Sequence, residues 1–305
     1  EPFVRVMDVD ADGFEEVVIT TEELNLFISP ENGGSLQELD YRPGEVNLLD
    51  ILSRWEEGYH YKLEASVNEH DHKGGTKSIH DIVKVKEEGL EKYLKYDHAR
   101  RASFVDRFIG ANETFETFFG NTCKDLGDFS NGCYAASIRQ GAVFLTRNGN
   151  AGGAAVTVTK EIRTEGRNSF SVDYALEHKG GPLPEGLRFG VEINMLLPCC
   201  DGPACFYQSS PPLAEAEGGA GLGSAGESGV EKISLVDSLT GVITTIEPSR
   251  AATLWRFPLH TVSLSEEGFE KIYQGSCLLF LFPVELADKR MRAGFKVRVE
   301  GVTVS

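Results

Sequence analysis

An acidic segment near the start of the chain has the residue types that hard metal ions prefer. Alternate carboxylates are followed by a glycine and a further acid: Asp8, Asp10, Asp12, Gly13 and Glu16. Calcium takes several oxygen ligands at about 2.3–2.6 Å, and a glycine permits the turn that brings them together. A complete EF-hand is excluded because its twelfth position is Ile19 rather than glutamate. Two interpretations stay open, a shorter calcium loop closed by Glu16 and a solvated acidic hairpin with an Asp-Gly turn.

Two histidine-containing clusters have side chains suited to metal binding or proton transfer. The loop Asn68–Lys77 contains the triplet His70–His72, but adjacent residues of a flexible loop rarely converge as ligands, so a solvated loop is favoured. His80 stands beside Asp81, and a neighbouring acid can orient a histidine for proton transfer. Since no nucleophile is evident nearby, we favour a capping or interface role for this pair.

Arginines and aromatic rings supply further candidates for contact with a ligand. Arg100 and Arg101 lie among acidic and polar residues, and guanidinium groups suit carboxylates as well as sugar hydroxyls. Ion pairs are the favoured use, and a sugar groove is the alternative. Aromatic rings stack on the apolar face of a pyranose. Trp255 precedes a proline-bounded strand and is the preferred exposed ring, whereas Trp55 and Tyr59 lie on an apolar stripe that favours core packing.

No familiar catalytic motif appears in the chain. The sequence contains no Gly-rich phosphate loop, no G-x-S-x-G elbow and no H-E-x-x-H helix. Its many acidic residues do not by themselves define a glycosidase, since a retaining enzyme needs two carboxylates about 5–5.5 Å apart. We therefore assign no catalytic residue.

Period-two alternation dominates the elements that would position these residues. Phe170, Val172, Tyr174 and Leu176 share one face of a strand, the pattern of an antiparallel sheet covered on one side. Further strands are predicted at Lys232–Ser238, Val242–Glu247, Leu259–Ser265, Ser276–Phe282 and Phe295–Ser305. Short Gly-, Pro- or Asn-containing connections are typical of a sandwich. We predict a mainly β fold, one large antiparallel β-sandwich spanning residues 1–305 with two or more short helices.

Three local departures from the strand pattern are predicted. Apolar residues at helical spacing predict a helix over Leu48–Leu63, with Asp50 near its N-terminus, and a second helix over Glu87–Lys95. The low-complexity stretch Ala214–Gly229 has one large side chain and is expected to be a mobile surface loop. The parity of apolar residues changes in the last strand, which predicts a β-bulge near Gly301.

Composition limits the classes of partner. The chain has 305 residues and a formal net charge of −17, which argues against nucleic acid and anionic membranes because both need a basic face. A neutral sugar fits this charge. No apolar run approaches the roughly 20 residues of a membrane helix, and no secretory leader is visible. The six cysteines match neither a disulfide framework nor a zinc motif, which predicts reduced thiols in a cytoplasmic protein.

Several segments together resemble the C-terminal β-sandwich domain of glycoside hydrolase family 57 α-amylases and 4-α-glucanotransferases. The first is Glu15–His60, which reads as two strands, a Gly-Gly turn, a third strand, a loop and a helix. The others are Ser78–Asp81, Tyr96–Phe108, Val191–Pro198 and Trp255–Phe282. They are spread over most of the chain and describe one whole domain.

The resemblance implies a fold, a role and partners. Family members have an N-terminal (β/α)₇ barrel with the catalytic Glu and Asp, then helices and this sandwich, which is similar to the galactose-mutarotase-like super-sandwich. No position here matches the catalytic motifs. The resemblance therefore implies a non-catalytic piece of a longer chain that needs no cofactor, with the barrel and an α-glucan oligosaccharide as partners. The implied parent reaction is retaining cleavage or transfer of α-1,4-glucan.

The resemblance also gathers the candidate contact residues and leaves two alternatives open. The side chains that could face the barrel or a glucan are Trp55, Tyr59, His60, His80, Asp81, Arg100, Arg101 and Trp255. A free-standing aldose 1-epimerase would need an acid and a base in one cavity, for which the nominees are His80 with Asp81 or His178 with Glu192. A carbohydrate-binding module would instead use an exposed Trp255.

Overall fold

The computed structural model describes residues 2–63, 65, 86, 89–200, 202–213, 221–286 and 289–301. Eighteen strands in this part of the chain form three antiparallel sheets. The first sheet has the order β1-β2-β3-β4-β5 and consists of Phe3–Met7, Glu16–Thr20, Leu24–Ser29, Ser35–Tyr41 and Val46–Asn47. The predicted strands and Gly-Gly turn of the opening segment are confirmed. Gly33 sits in that turn at φ +74°, where an added Cβ would meet the carbonyl oxygen of Ser130 at 2.3 Å.

The other two sheets carry most of the chain. The eight-stranded sheet has the order β12-β14-β15-β18-β10-β9-β8-β7. In chain order its strands are β7 Ala135–Arg139, β8 Ala142–Ala151, β9 Ala154–Thr164, β10 Ser169–Gly180, β12 Cys205–Ser210, β14 Lys232–Asp237, β15 Val242–Pro248 and β18 Arg290–Gly301. The second five-stranded sheet has the order β13-β16-β17-β11-β6. Its strands are β6 Val105–Ile109, β11 Arg188–Met195, β13 Gly226–Val230, β16 Ala252–Ser265 and β17 Gly268–Pro283.

Apolar side chains from all three sheets meet in one main core. The predicted inward face of β10, Phe170 to Leu176, lies in it, together with Phe189, Val191 and Ile193 of β11. Because successive side chains of a strand point to opposite faces, this register sends Arg188, Glu192 and Asn194 to the outer face of the second five-stranded sheet. The predicted antiparallel sandwich is confirmed.

A buried ion pair joins the sheets inside this core. Lys160 of β9 and Asp106 of β6 are fully buried, with Nζ 3.1 Å from Oδ2. The Lys160 ammonium also donates to the carbonyl oxygens of Gly33, Gly34 and Phe104. Four acceptors around one cation offset much of the cost of burying it. The pair therefore fixes the position of the β3–β4 turn and of β6 against the eight-stranded sheet.

The predicted helix over Leu48–Leu63 is wrong. Residues 51–57 have no regular structure, and only 60–63 form a helical turn in this segment. Backbone amides of the segment bond to distant partners: Leu48 N–H donates to the Leu39 carbonyl, and Arg54 N–H donates to Asp97 Oδ2. Tertiary hydrogen bonds thus replace the helical ones, and Asp50 caps no helix.

Other short elements also differ from the sequence-based expectations. The predicted second helix is a 3₁₀ turn at Leu90–Tyr93, and further short elements occur at Arg42–Gly44 (3₁₀) and Phe115–Phe119 (α). In the low-complexity stretch, residues 214–220 lie outside the described part, but Gly226–Val230 forms β13 and Leu222 is buried. The mobile-loop prediction is therefore wrong for 221–229. The residues beyond Gly301 that would test the predicted bulge also lie outside the described part.

No helix among the described residues is long and apolar enough to cross a membrane.

Candidate functional site

A polar cleft of about 500 Å³ opens on the outer face of the second five-stranded sheet. Arg107 of β6 and Glu192 of β11 reach it because their neighbours Phe108 and Val191 point into the core. Gly190 pairs with Arg107, and an added Cβ there would meet Leu279 at 3.1 Å, so the glycine permits close packing under Arg107. The segment 97–102 and residues 118–131 form the other walls.

Six charged side chains in and beside this cleft form one chain of alternating sign. In order they are Arg54, Asp97, Arg101, Glu192, Arg107 and Asp125. The first four contacts are each 2.6 Å long, and the last, from Arg107 to Asp125, is 3.4 Å. The three positive and three negative charges balance, so the chain is neutral as a whole. We call these six residues the charge chain.

The charge chain keeps the carboxyl groups of Glu192 and Asp97 ionised, whereas burial raises the pKa of its third carboxyl group, Asp125. Burial alone would raise the pKa of Glu192, but the guanidinium groups of Arg107 and Arg101 outweigh it and lower that pKa to about 2. In the same way Arg54 and Arg101 overcome burial and hold the pKa of Asp97 below its usual range. A general acid must carry a proton near neutral pH. Glu192 and Asp97 are therefore permanently charged and serve as anchors for arginines.

The two adjacent arginines of the sequence prediction have different environments. Arg101 is partly buried and donates to Glu192 Oε1 and Asp97 Oδ1, each at 2.6 Å, which matches the favoured ion-pair interpretation. Arg100 is exposed at the wall of the cleft beside His98. Arg100 is therefore the arginine available to a ligand or to another domain.

A second cleft of about 250 Å³ is lined by aromatic rings. Trp55 is 54% exposed, and Tyr59, Tyr93 and Tyr96 contribute further rings. His60 lines it but is buried; its Nδ1 accepts from the Glu57 N–H and its Nε2 lies 3.0 Å from the Val262 carbonyl oxygen. His60 is therefore fixed by the fold, and Trp55 is the ring that faces outward.

The two clefts share one ion pair of the charge chain. Arg54 lines the aromatic cleft and Asp97 lines the polar cleft, and the two side chains are in direct contact. Both residues are buried, so this contact connects the two clefts beneath the surface.

The prediction of an exposed Trp255 is wrong. This residue lies within β16 on the outer face of its sheet, where its side chain is 0% exposed. Phe118 of the short helix packs on the ring, the Arg188 guanidinium lies 5.0 Å from it, and its Nε1–H donates to Glu227. The helix at Phe115–Phe119, which the sequence analysis missed, covers it.

Of the nominated acid–base pairs, the structure describes His178 with Glu192 and places them on different sheets. His178 is half-buried on the eight-stranded sheet and contacts the Gly181 carbonyl, whereas Glu192 is held by arginines on the other sheet. That pairing is wrong. His80, Asp81 and the triplet His70–His72 lie outside the described residues.

Sequence reasoning missed one carboxyl group with a shifted pKa. Burial, a hydrogen bond with Asp40 and the charges of Asp40 and Asp50 raise the pKa of Glu38 to about 7. The signal was present in the sequence as two acids at alternate positions of one strand, which share a face.

The acidic segment forms a compact loop between β1 and β2. Carboxylate oxygens of Asp8, Asp10 and Glu16 lie within 4.8 Å of one another. Asp12 does not belong to this group and accepts from the Phe14 N–H. Burial raises the pKa of Glu16, and the neighbouring aspartates raise it further. The loop thus combines the predicted Asp-Gly turn with three converging carboxylates, and calcium binding stays a prediction.

Comparison with known proteins identifies the family. Residues 8–295 match the family described as α-amylase/4-α-glucanotransferase, C-terminal. The chain belongs to this family. It is 31% identical over 290 residues to α-amylase 1 of Dictyoglomus thermophilum and 31% identical over 294 residues to the 4-α-glucanotransferase of Thermococcus kodakarensis. These alignments cover 92% and 96% of this chain but 40% of each relative.

Solved structures support the same assignment for this member of the α-amylase/4-α-glucanotransferase C-terminal family. The 4-α-glucanotransferase of Thermococcus litoralis matches 99% of this chain with 40% of its own, at a TM-score of 0.73 and 27% identity. A galactose mutarotase-like protein from Clostridium acetobutylicum matches 98% of the chain at a TM-score of 0.57 and 10% identity, which shows a shared fold alone. The predicted galactose-mutarotase-like sandwich is confirmed.

Proposed function

We propose that this chain is the non-catalytic supporting domain of an α-glucan-processing glycoside hydrolase or 4-α-glucanotransferase. In this proposal it packs against a catalytic barrel of the same protein, and its two clefts extend the barrel's glucan groove. Family membership and the share of the relatives that the chain spans support a role within a larger enzyme.

The observation that carries the proposal is the charge chain. The polar cleft contains two buried carboxylates, Glu192 and Asp97, and each is clamped by two arginines. A carboxylate held in this way neither gives nor takes a proton readily near neutral pH. The cleft is therefore rigid and has no net charge, which suits the positioning of a ligand or a neighbouring domain better than proton transfer.

The finer part of the proposal concerns the glucan. A neutral polyol needs hydrogen-bond donors and acceptors without net charge, together with an apolar ring on which to stack. The charge chain has no net charge, Trp55 is exposed at the aromatic cleft, and Arg100 is exposed at the polar cleft. We expect one linear α-glucan to contact both.

Two measurements test this assignment. Amide hydrogen exchange compares the isolated chain with the longer protein that contains it. Protection of residues 52–59 and 98–101 in the longer protein supports a barrel-facing surface, and unchanged exchange there contradicts it.

Retention on an α-glucan affinity gel tests the sugar contact. Trp55→Ala and Arg100→Ala should each reduce retention, whereas Leu239→Ala, a matched change at a side chain 62% exposed elsewhere, should not.

A further inference from the structure

Two cysteines meet where the chain passes from the second five-stranded sheet to the eight-stranded sheet. β11 ends at Met195, and β12 begins at Cys205. The Sγ atoms of Cys199 and Cys205 lie 2.8 Å apart. A disulfide has an S–S length of about 2.05 Å, so closing the bond requires a sulfur displacement of under about 1 Å. All six cysteines are free thiols in this structure.

We propose that Cys199 and Cys205 form a thiol–disulfide exchange site, which a small-molecule disulfide such as oxidised glutathione converts to an intramolecular cystine. This site is independent of the clefts described above and of the glucan chemistry proposed for the parent enzyme.

The surroundings give the two sulfurs different roles. Cys199 is half-buried and follows the exposed Pro198, so a small molecule can reach it. Cys205 is fully buried at the start of β12, and burial raises the pKa of its thiol. Exchange is carried out by a thiolate with access to the disulfide. Cys199 is therefore the attacking sulfur, and Cys205 is the resolving one.

The exchange takes place in two steps through a mixed disulfide on Cys199. The Cys199 thiolate attacks one sulfur of the small disulfide, whose S–S bond breaks and releases a first thiolate. Cys205 sulfur then attacks Cys199 Sγ, the mixed disulfide breaks, and the second thiolate leaves. The two departing thiolates take up the protons lost by Cys199 and Cys205. The protein pair is oxidised by two electrons, and the small disulfide is reduced to two thiols.

Fixed contacts make the pairing selective. Cys205 donates its S–H to Asp237 Oδ1 at 3.7 Å, and the backbone N–H groups of Leu239 and Thr240 hold the same carboxylate oxygen. Cys200, although adjacent to Cys199 in the chain, lies 3.9 Å from His260 Nε2. The geometry thus directs Cys199 to Cys205 rather than to its neighbour.

Redox titration with mass spectrometry tests the proposal. The native chain is equilibrated with defined ratios of oxidised to reduced glutathione, quenched with acid, denatured and alkylated with N-ethylmaleimide. We expect Cys199 and Cys205 of wild type both to become resistant to alkylation and to yield one cross-linked peptide that joins them. Cys205→Ser should stop at a glutathione adduct on Cys199, and Cys199→Ser should leave Cys205 unmodified.

Cys133→Ser is the control, because it removes an exposed thiol and should still form the cross-link. Circular dichroism of each variant checks that it is folded, and the half-buried Cys199→Ser variant keeps the test valid if Cys205→Ser does not fold. Six alkylated thiols under oxidising ratios, a bond from Cys199 to Cys200, or a stable glutathione adduct on Cys199 in wild type would each overturn the proposal.

Discussion

Glu192 anchors two of the arginines that line the polar cleft. It lies on the outer face of β11, buried, and contacts Arg101 and Arg107 at 2.6 Å each. Removing one partner of a buried ion pair leaves an uncompensated charge, which costs about 3–5 kcal/mol. We therefore expect Glu192→Gln to lower the free energy of unfolding by that amount in urea at pH 7. Glu161→Gln breaks an exposed pair with Arg163 and should cost less than about 1 kcal/mol. Equal losses in the two variants would show that Glu192 is not an anchor.

The same residue gives a pH dependence. Arginine contacts outweigh burial and lower the pKa of Glu192 from 4.5 to about 2. A carboxyl group whose pKa is depressed in the folded state stabilises the fold above its unfolded pKa and loses that contribution as the pH falls toward the folded pKa. The stability difference between wild type and Glu192→Gln should therefore be constant from pH 7 to about 5 and shrink below about 4.5. Urea titrations at several pH values measure it, and a difference that grows on acidification would refute this explanation.

The acidic loop allows a calcium prediction with an internal control. Because Asp8, Asp10 and Glu16 converge and Asp12 does not, Asp10→Asn should abolish calcium binding and Asp12→Asn should preserve it. Isothermal calorimetry at millimolar calcium is the measurement, since exposed loops with few carboxylates bind in about that range. Absence of binding heat in wild type would leave only the solvated hairpin.

At the scale of elements, the two tryptophans exchange the roles that their sequence context suggested. Trp55 was assigned to a buried helix stripe and is 54% exposed, whereas Trp255 was assigned to the surface and is 0% exposed. Periodicity cannot detect that the amides of residues 48–54 bond to β4 and Asp97, or that a five-residue helix covers β16. Both depend on contacts between residues far apart in the chain.

Substitution at Trp255 and at Trp55 should change the free energy of unfolding by very different amounts. Trp255→Ala removes a fully buried ring from between Phe118 and Arg188, and we expect a loss of about 3–5 kcal/mol in the free energy of unfolding. Trp55→Ala removes an exposed ring and should change it by less than about 0.5 kcal/mol. Chemical denaturation of both variants checks the pair of values. A large loss for Trp55→Ala would mean that residues 51–57 pack more tightly than in this structure.

The strands were predictable where alternation was strict. The bounds of β14 and β15 match the predicted ones to within about one residue, and β15 alternates strictly between buried and partly exposed positions. β16 and β17 begin well before the predicted starts at Leu259 and Ser276. In β16 the added residues are mostly buried whichever face they lie on, so no alternation marks them. The charge chain was predicted only as an ion-pair role for Arg100 and Arg101, and of these two Arg101 belongs to it. The link from Arg101 to Glu192 spans 91 residues, and no local pattern reveals it.

At the scale of the whole molecule, the chain is a sandwich of three antiparallel sheets, with its polar cleft on the outer face of one sheet. It spans about two fifths of the length of the relatives it matches. In the function that we propose, this domain contributes shape and stability to a neighbouring barrel, and the chemistry lies with the carboxylates of that barrel. The charge chain, in which each charged side chain contacts one of opposite sign, agrees with a supporting role for this domain.

The central claim is that bond cleavage and transfer belong to a part of the enzyme outside this chain. The most direct measurement incubates the purified chain with maltoheptaose and follows products by anion-exchange chromatography for both hydrolysis and disproportionation. We predict product formation no faster than in a buffer control, with Glu192→Gln and wild type indistinguishable. Turnover above the control that Glu192→Gln or Asp97→Asn abolishes, in variants shown to be folded, would contradict the account.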